Sequence, residues 1–297
     1  MRHAMLMCAH TNFNMLQMFI DLYDDERYDF YILIDKKIPV NEKEILKKYP
    51  TKSKVYFCPR IEISWAGYSQ IEANLLMFEE SVKKKYDYYH YFQGSDFPVK
   101  TCDEVDKFFE KNKGKQFIEI YQKDFAKIKC GYYHFFTNNR WYRNNVLVKA
   151  ANKIFLFVQK ALRVKRNDDI DLYHGSALTS LSHECVMYIL SKRGEINKRF
   201  NYTLAADEVF LQTMIAKSPF REDIYKFEKS MNANVRMIDW DRREGNSPYT
   251  FCLDDYEKLI SADEDICFAR KFSENVDFEV VKKLYDYLRI TRCKKLV

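Results

Sequence analysis

Residues Met5–Lys37 read MLMCAHTNFNMLQMFIDLYDDERYDFYILIDKK, and the change of pattern inside this stretch decides the fold. At its two ends, Ala4–Ala9 and Phe30–Ile34 are short apolar runs of strand length, while Asn14–Tyr23 between them places apolar residues three and four apart. An unbroken apolar run suits a strand buried on both faces, and the three-four spacing suits a helix covering the sheet. The unit then recurs. Val55–Phe57, Tyr88–Phe92 and Gln116–Ile120 read as further strands, and Glu42–Lys48, Tyr68–Lys85 and Asp103–Lys111 as further helices. This β-α-β-α-β-α-β-α-β order predicts an α/β class with a Rossmann-type sheet flanked by helices, which binds ligands beyond the carboxyl ends of its strands. Asp35 and Gly94–Ser95–Asp96 fall at such ends.

Beyond residue 121 the pattern is less regular, with a helix expected at 142–163, a strand near 177–181 and helices at 183–192 and 207–217. Seven glycines and six prolines in 297 residues form no linker-like tract, so one domain is expected. At 47% apolar and 16% aromatic composition the chain has material for a large core, which excludes a disordered class. The net charge of +6 is spread among mixed signs, and the sequence carries no nucleic-acid-binding motif. Eight isolated cysteines, with no CxxC pair, read as reduced core thiols. The opening MRHAMLMCAH holds too short an apolar stretch for a signal peptide or a membrane span, so a cytoplasmic protein is expected.

The chemistry is narrowed first by exclusion. GxGxxG, P-loop, HExxH and GxSxG motifs do not occur, and no two of the six histidines stand at i, i+4. A metal-dependent sugar transferase would set closely spaced carboxylates after a core strand, where Gln93–Gly94–Ser95–Asp96 offers one acid. Without a metal, fixed cations must meet the charge that grows on a leaving diphosphate. Cys267–Phe268–Ala269–Arg270–Lys271–Phe272 supplies two adjacent cations between aromatics, suited to phosphate oxygens as a planar fork and a point charge. A base for an acceptor hydroxyl is offered by Ala205–Ala206–Asp207–Glu208–Val209–Phe210, where two acids open a helix. Acids at that position also serve as a cap and a dipole partner, and both readings hold together.

Four stretches, in order, resemble the core 2/I-branching N-acetylglucosaminyltransferase and peptide O-xylosyltransferase family, glycosyltransferase family 14. They are QGSDFPVKT (Gln93–Thr101), GSALTSLSHECVMYIL (Gly175–Leu190), LAADEVFLQTMIAKSPF (Leu204–Phe220) and CFARKF (Cys267–Phe272), with weaker support from SWAGYSQIEANLL (Ser64–Leu76) and the opening segment. The resemblance implies a GT-A-like fold, inversion at the anomeric carbon, a UDP-sugar donor and no divalent metal. It implies Glu208 as catalytic base and Arg270 and Lys271 on the diphosphate. His10 and Asp35 fall at the nucleoside end, and Trp65, Asp96, Glu119 and Ser176 near the sugar. Residues 1–120 would then form the nucleotide-binding half and 121–297 the acceptor and catalytic half. CFARKF is similar to the xylosyltransferase wording and GSDFPVKT fits the N-acetylglucosaminyl branch equally, which leaves both donors open.

The family's branching enzymes place a further arginine upstream of the fourth stretch, where this chain reads NSPYTFCLDDYEKL and has none; that work would fall on Arg270 and Lys271, or on Arg242 and Arg243. The missing anchor and the unpaired cysteines point to a bacterial relative that builds surface polysaccharide on a glycan or lipid-linked oligosaccharide acceptor at the inner membrane face. Between Arg140 and Arg166 stand eight Lys or Arg and no acid, interleaved with apolar residues. The helix at 142–163 fits two arrangements: packed on the sheet with a solvated basic face, or lying peripherally on an anionic membrane. Two rival functions stay open, a metal-dependent transferase using Asp96 and a catalytically silent sugar- or membrane-binding platform.

Overall fold

A computed structural model describes residues 1–121, 124–137, 145–227 and 232–295. The first half alternates as expected: β1 (His3–Ala9), α1 (Phe13–Leu22), β2 (Tyr28–Ile34), α2 (Glu42–Ile45), β3 (Lys54–Phe57), α3 (Ser69–Ser81) and β4 (Tyr88–Gln93). β1 and β2 form the sheet's middle because their residues can be buried on both faces; all seven residues of β2 are buried. The main sheet runs β3-β2-β1-β4, all parallel, and is closed at the far edge by antiparallel β6 (Ser180–Ser182). One apolar core lies on each face. Phe19, Phe30, Phe92, Phe97 and Phe268 build one, and Leu33, Phe78, Tyr89, Leu181 and Phe210 the other.

The chain leaves β4 through Gly94 and Ser95 into a short strand, β5 (Asp96–Pro98), and then α4 (Cys102–Lys111). Thr101 caps α4 by a reciprocal box: its Oγ1 accepts from the Glu104 N–H, and the Glu104 carboxylate accepts from the Thr101 N–H at 2.9 Å. After α5 (Asp124–Cys130), α6 (Val146–Ala161) and β6 come α7 (His183–Ser191), α8 (Arg193–Phe200), a 3₁₀ turn at Ala206–Glu208 and α9 (Phe210–Ala216). β7 (Arg236–Ile238), α10 (Tyr256–Ile260), β8 (Phe268–Arg270) and α11 (Glu279–Lys295) complete the chain. β5, β8 and β7 form a second small sheet whose register sets Asp96 opposite Arg270.

Two expectations are corrected. Gln116–Ile120 is buried as its apolar content requires, but it is not a strand of the sheet. Its backbone is satisfied piecemeal: the Gln116 N–H donates to Asp223, Phe117 exchanges bonds with Ser180, and the Gln116 side chain bonds Ser182 N and Oγ. β6 takes the place beside β4 instead. The helix expected at 142–163 is present over Val146–Ala161, with 142–144 outside the described residues, but it does not pack by an apolar face. Its buried residues are Asn152 and Gln159. The Gln159 amide makes two 2.8 Å bonds with the Tyr133 backbone, and Asn152 lies 3.3 Å from the His134 ring. The Tyr133 peptide and the buried His134 ring need partners, and the two amides supply them.

The eight thiols are unpaired. Among the described residues no helix is long and apolar enough to cross a membrane.

Candidate active site

Glu208 ends the 3₁₀ turn that Ala205 opens from a left-handed backbone conformation, so its side chain leaves the helical register that α9 would have imposed. Two donors converge on one of its oxygens: Lys129 Nζ at 2.6 Å and His174 Nε2 at 3.1 Å from Oε2. The Lys129 side chain is 8% exposed and that of Glu208 39%, so the ion pair is rooted in the protein and open at the carboxylate. Burial would raise the Glu208 pKa, but the His174 bond and the Lys129 charge outweigh it, and the carboxyl is held well below its usual range. His174 Nδ1 is buried and, among the described residues, has no partner. The ring's bond to Glu208 places a proton on Nε2.

Asp207 is pushed the other way, upward, by burial and then by the charge of Glu208. It accepts from Gln70 Nε2 at 3.2 Å. Two neighbouring acids therefore differ in state near neutrality, Glu208 ionised and Asp207 the holder of any shared proton. Gln70 also accepts the Ala66 N–H at 2.6 Å, and Ala66 accepts the Ala205 N–H at 2.8 Å. These bonds bring the Trp65 loop alongside the acid pair, with the Trp65 ring half exposed.

Glu119 and Ser176 belong to the same group. The Gly175 N–H donates to the Glu208 carbonyl at 2.9 Å, and a Cβ at Gly175 would fall 1.9 Å from the Glu119 carbonyl oxygen. Only glycine permits that approach. The Ser176 carbonyl accepts from Gln212 Nε2 at 2.6 Å, and its Oγ accepts the Leu178 N–H at 3.2 Å. Glu119 is buried, its Oε2 accepts from Tyr121 Oη at 3.1 Å, and burial raises its pKa to about 7.

The second group lies past the carboxyl ends of β1 and β4. Arg270 donates from Nη1 to Asp96 Oδ1 at 2.9 Å and from Nη2 to Gln93 Oε1 at 2.8 Å, while Asp96 Oδ2 accepts the Gln93 N–H at 2.6 Å. Both oxygens of Asp96 are thus engaged by protein donors. Lys271 Nζ reaches Ser247 Oγ at 3.0 Å. Asn12 ties the β1–α1 turn to this place, donating to the Gly94 carbonyl at 2.7 Å and accepting the Glu274 N–H at 3.1 Å. His10 is exposed on the same turn. Asp35, at the end of β2, is buried, and its carboxylate accepts the Lys37 N–H at 3.0 Å with Lys37 Nζ 3.3 Å away. Arg242 is bound into an ion-pair cluster with Asp239 and Asp255.

Tyr91 and Arg236 join the two groups. Burial pushes the Tyr91 hydroxyl well above its usual value, and Cys8, Asp207 and Asp96 add to the effect. Arg236 is fully buried between the rings of Phe92 and Phe268 and donates to the Tyr91 and Thr179 carbonyls at 3.1 and 3.0 Å. Sequence reasoning did not single out Lys129, His174 or Arg236: each is a lone polar residue whose partner is distant in the chain. A cluster with metal-ligand spacing, Asp25, Cys102 and Asp103, occurs elsewhere among the described residues. Arg27 and Arg292 already neutralise its acids, so it is a structural ion-pair network.

The family model described as Core-2/I-Branching enzyme matches residues 4–260. Similar curated proteins include xylosyltransferase 2 of Canis lupus familiaris, 22% identical over 280 residues that cover 87% of this chain and 30% of that protein. Xylosyltransferase oxt of Drosophila pseudoobscura pseudoobscura is 22% identical over 310 residues, 96% of this chain and 31% of that protein. The chain thus spans about a third of the length of these relatives. Among solved structures, mouse xyloside xylosyltransferase 1 in its apo form aligns over 90% of this chain and 96% of its own, at 11% identity and a TM-score of 0.38.

Proposed function

Since the chain belongs to the Core-2/I-branching enzyme family, we propose that it is an inverting glycosyltransferase moving N-acetylglucosamine or xylose from a UDP-sugar to a hydroxyl of a glycan acceptor. The observation that carries this reading is the Glu208 carboxylate, kept ionised by Lys129 and His174 on one oxygen and open to solvent. Among the described residues no donor occupies Oε1, which leaves it for the acceptor hydroxyl. Glu208 takes that proton as the acceptor oxygen attacks the anomeric carbon, and the bond from that carbon to the UDP oxygen breaks.

The departing diphosphate gains charge, which Lys271 meets with its ammonium and Arg270 with whatever part of its fork Asp96 and Gln93 release. In this reading residues 1–120 are the nucleotide-binding half, with His10 and Asp35 at the nucleoside, and 121–297 the acceptor and catalytic half. Trp65, Asp96, Glu119 and Ser176 surround the transferred sugar. The prior engagement of both Asp96 oxygens favours cation-assisted over metal-assisted departure. Phe125, half exposed, has its ring 5.5 Å from His174 and 4.4 Å from Lys129 Nζ, so an aromatic face stands beside the base. Such a face suits the ring of the acceptor sugar, whether in a glycan or a lipid-linked oligosaccharide of the kind used in surface polysaccharide synthesis.

The test is a thermal-shift screen of UDP-N-acetylglucosamine, UDP-xylose, UDP-glucose and UDP-galactose, followed by transfer assays with and without EDTA. One of the first two should stabilise the protein, by about 2.7 kcal/mol at ~100 times its dissociation constant, and transfer should persist in EDTA. No shift with any donor would overturn the donor class, and activity lost in EDTA but restored by manganese would overturn the metal-free route.

A further inference from the structure

Helix α6 turns most of its apolar residues outward, with Phe155 half-buried against the Phe135 ring at 5.2 Å. Val146, Leu147, Ile154 and Phe157 are 77, 79, 66 and 74% exposed, and Val158 and Leu162 are exposed beside them. At ~100° per residue these positions, with Ala150 and Ala161, share one arc of roughly 120–160° with no polar residue inside it. Lys149, Lys153 and Lys160, all exposed, fall together along one border of that arc. The opposite side carries Asn152 and Gln159, fixed to His134 and the Tyr133 backbone. The arrangement inverts the ordinary amphipathic helix, in which the apolar stripe faces the core. Its polar side is anchored by side-chain bonds, so the outward orientation of the apolar side is built in and not a failure to pack. Asn145 caps the helix by accepting the Leu147 and Val148 N–H groups, which fixes where the arc begins.

An exposed apolar face of this size marks a contact surface. Its chemistry selects the occupant: the segment from Arg140 to Arg166 holds eight basic residues and no acid, so a surface that accepts both hydrocarbon and positive charge is required. We propose that α6 seats the protein on an anionic lipid bilayer, lying in the plane of the interface with Val146, Leu147, Ile154, Phe157 and Val158 among the acyl chains and Lys149, Lys153 and Lys160 at the headgroups. Aliphatic lysine stems at the border can lie along the apolar layer while their ammonium groups reach phosphate. A protein partner of matching size would need an acidic rim, and a second copy of this chain would bring its own Lys149, Lys153 and Lys160 against these.

The test is co-sedimentation of the full chain with vesicles of phosphatidylcholine alone and of phosphatidylcholine with 30–40% phosphatidylglycerol, at low and high salt. Binding should be strong on the anionic vesicles, weak on the neutral ones and reduced by salt. A Lys149→Ala/Lys153→Ala/Lys160→Ala variant should lower partitioning to anionic vesicles by about two orders of magnitude. An Ile154→Asp/Phe157→Asp variant should abolish it; both residues are exposed, so an unchanged melting temperature confirms that the fold is kept. UDP-sugar binding in solution should be the same in both variants, which separates failure of the lipid contact from failure of the transferase reading. Equal binding of wild type and variants, or none by the wild type, overturns the proposal. So does a wild-type dimer in light scattering that Ile154→Asp/Phe157→Asp converts to monomer while lipid binding is absent, since the face would then be an interface between copies.

Discussion

Replacing Lys129 with methionine removes one charge from beneath Glu208 while keeping an unbranched side chain of similar length. The pair is intermediate in kind. Breaking a buried ion pair costs about 3–5 kcal/mol and an exposed one about 0–1; with Lys129 buried and Glu208 two-fifths open, roughly 2 kcal/mol of stability should be lost. The catalytic effect has a definite sign. Lys129 and His174 together hold the Glu208 pKa down, so removal of the lysine raises it, and the ionised base is lost at a higher pH than before. The acid limb of the kcat/KM profile should therefore move upward, by about one unit if the lost interaction is worth roughly 1.4 kcal/mol after solvent screening. At neutral pH kcat should fall about tenfold or more, because a base free to rotate off line loses part of a 10²–10⁴-fold contribution. Lys129→Arg, which restores charge without the geometry, should recover the limb better than the rate. A Lys129→Met enzyme with an unmoved acid limb and undiminished kcat would refute the role given to this ion pair.

Burial raises the Glu119 pKa to about 7 from an ordinary value of 4.5. A carboxyl whose folded pKa is raised contributes stability below the unfolded value that is lost as pH rises through the folded one. Glu119→Gln should therefore leave denaturant stability at pH 4 unchanged and raise it by about 3 kcal/mol at pH 8; equal effects at both would contradict the assignment. Gly175→Ala should destabilise by about 3 kcal/mol or more, since the new Cβ meets backbone at 1.9 Å and not a yielding side chain. Lys271→Ala should weaken UDP binding in calorimetry by roughly tenfold or more, as a charge-assisted phosphate contact is worth about 1.5–3 kcal/mol. Asp96→Asn should unpair Arg270 and weaken the loop after β4; unchanged stability would mean that the 2.9 Å ion pair carries little.

Which parts of this molecule could be read in advance follows from the range of the interactions. β1, β2 and β4 announce themselves because a strand buried on both faces must be largely apolar, with the few buried polar groups such as Asp29 and His90 held by specific partners. Gln116–Ile120 shows part of that pattern in Phe117, Ile118 and Ile120, yet its neighbours in space come from Ser180, Asp223 and Ile224, and no local pattern encodes pairing that is shared among so many segments. In α6 the helical period was visible, but the face it buries was set by the hydrogen-bonding needs of Tyr133 and His134. Glu208 stood out because two acids open a helix beside an apolar run. Its partners did not: Lys129 stands 79 residues and His174 34 residues away in the chain. Arg270 was legible as a cation but not as one already bound to Asp96, a pairing that only the β5–β8 register creates.

The most direct test of the central claim is single-turnover transfer by Glu208→Gln with a saturating UDP-sugar and acceptor. Glutamine keeps the size and still accepts from Lys129 and His174 but cannot take a proton, so UDP binding should be retained and the transfer rate should drop about 10²–10⁴-fold. Transfer at close to the wild-type rate would show that Glu208 is not the group that activates the acceptor.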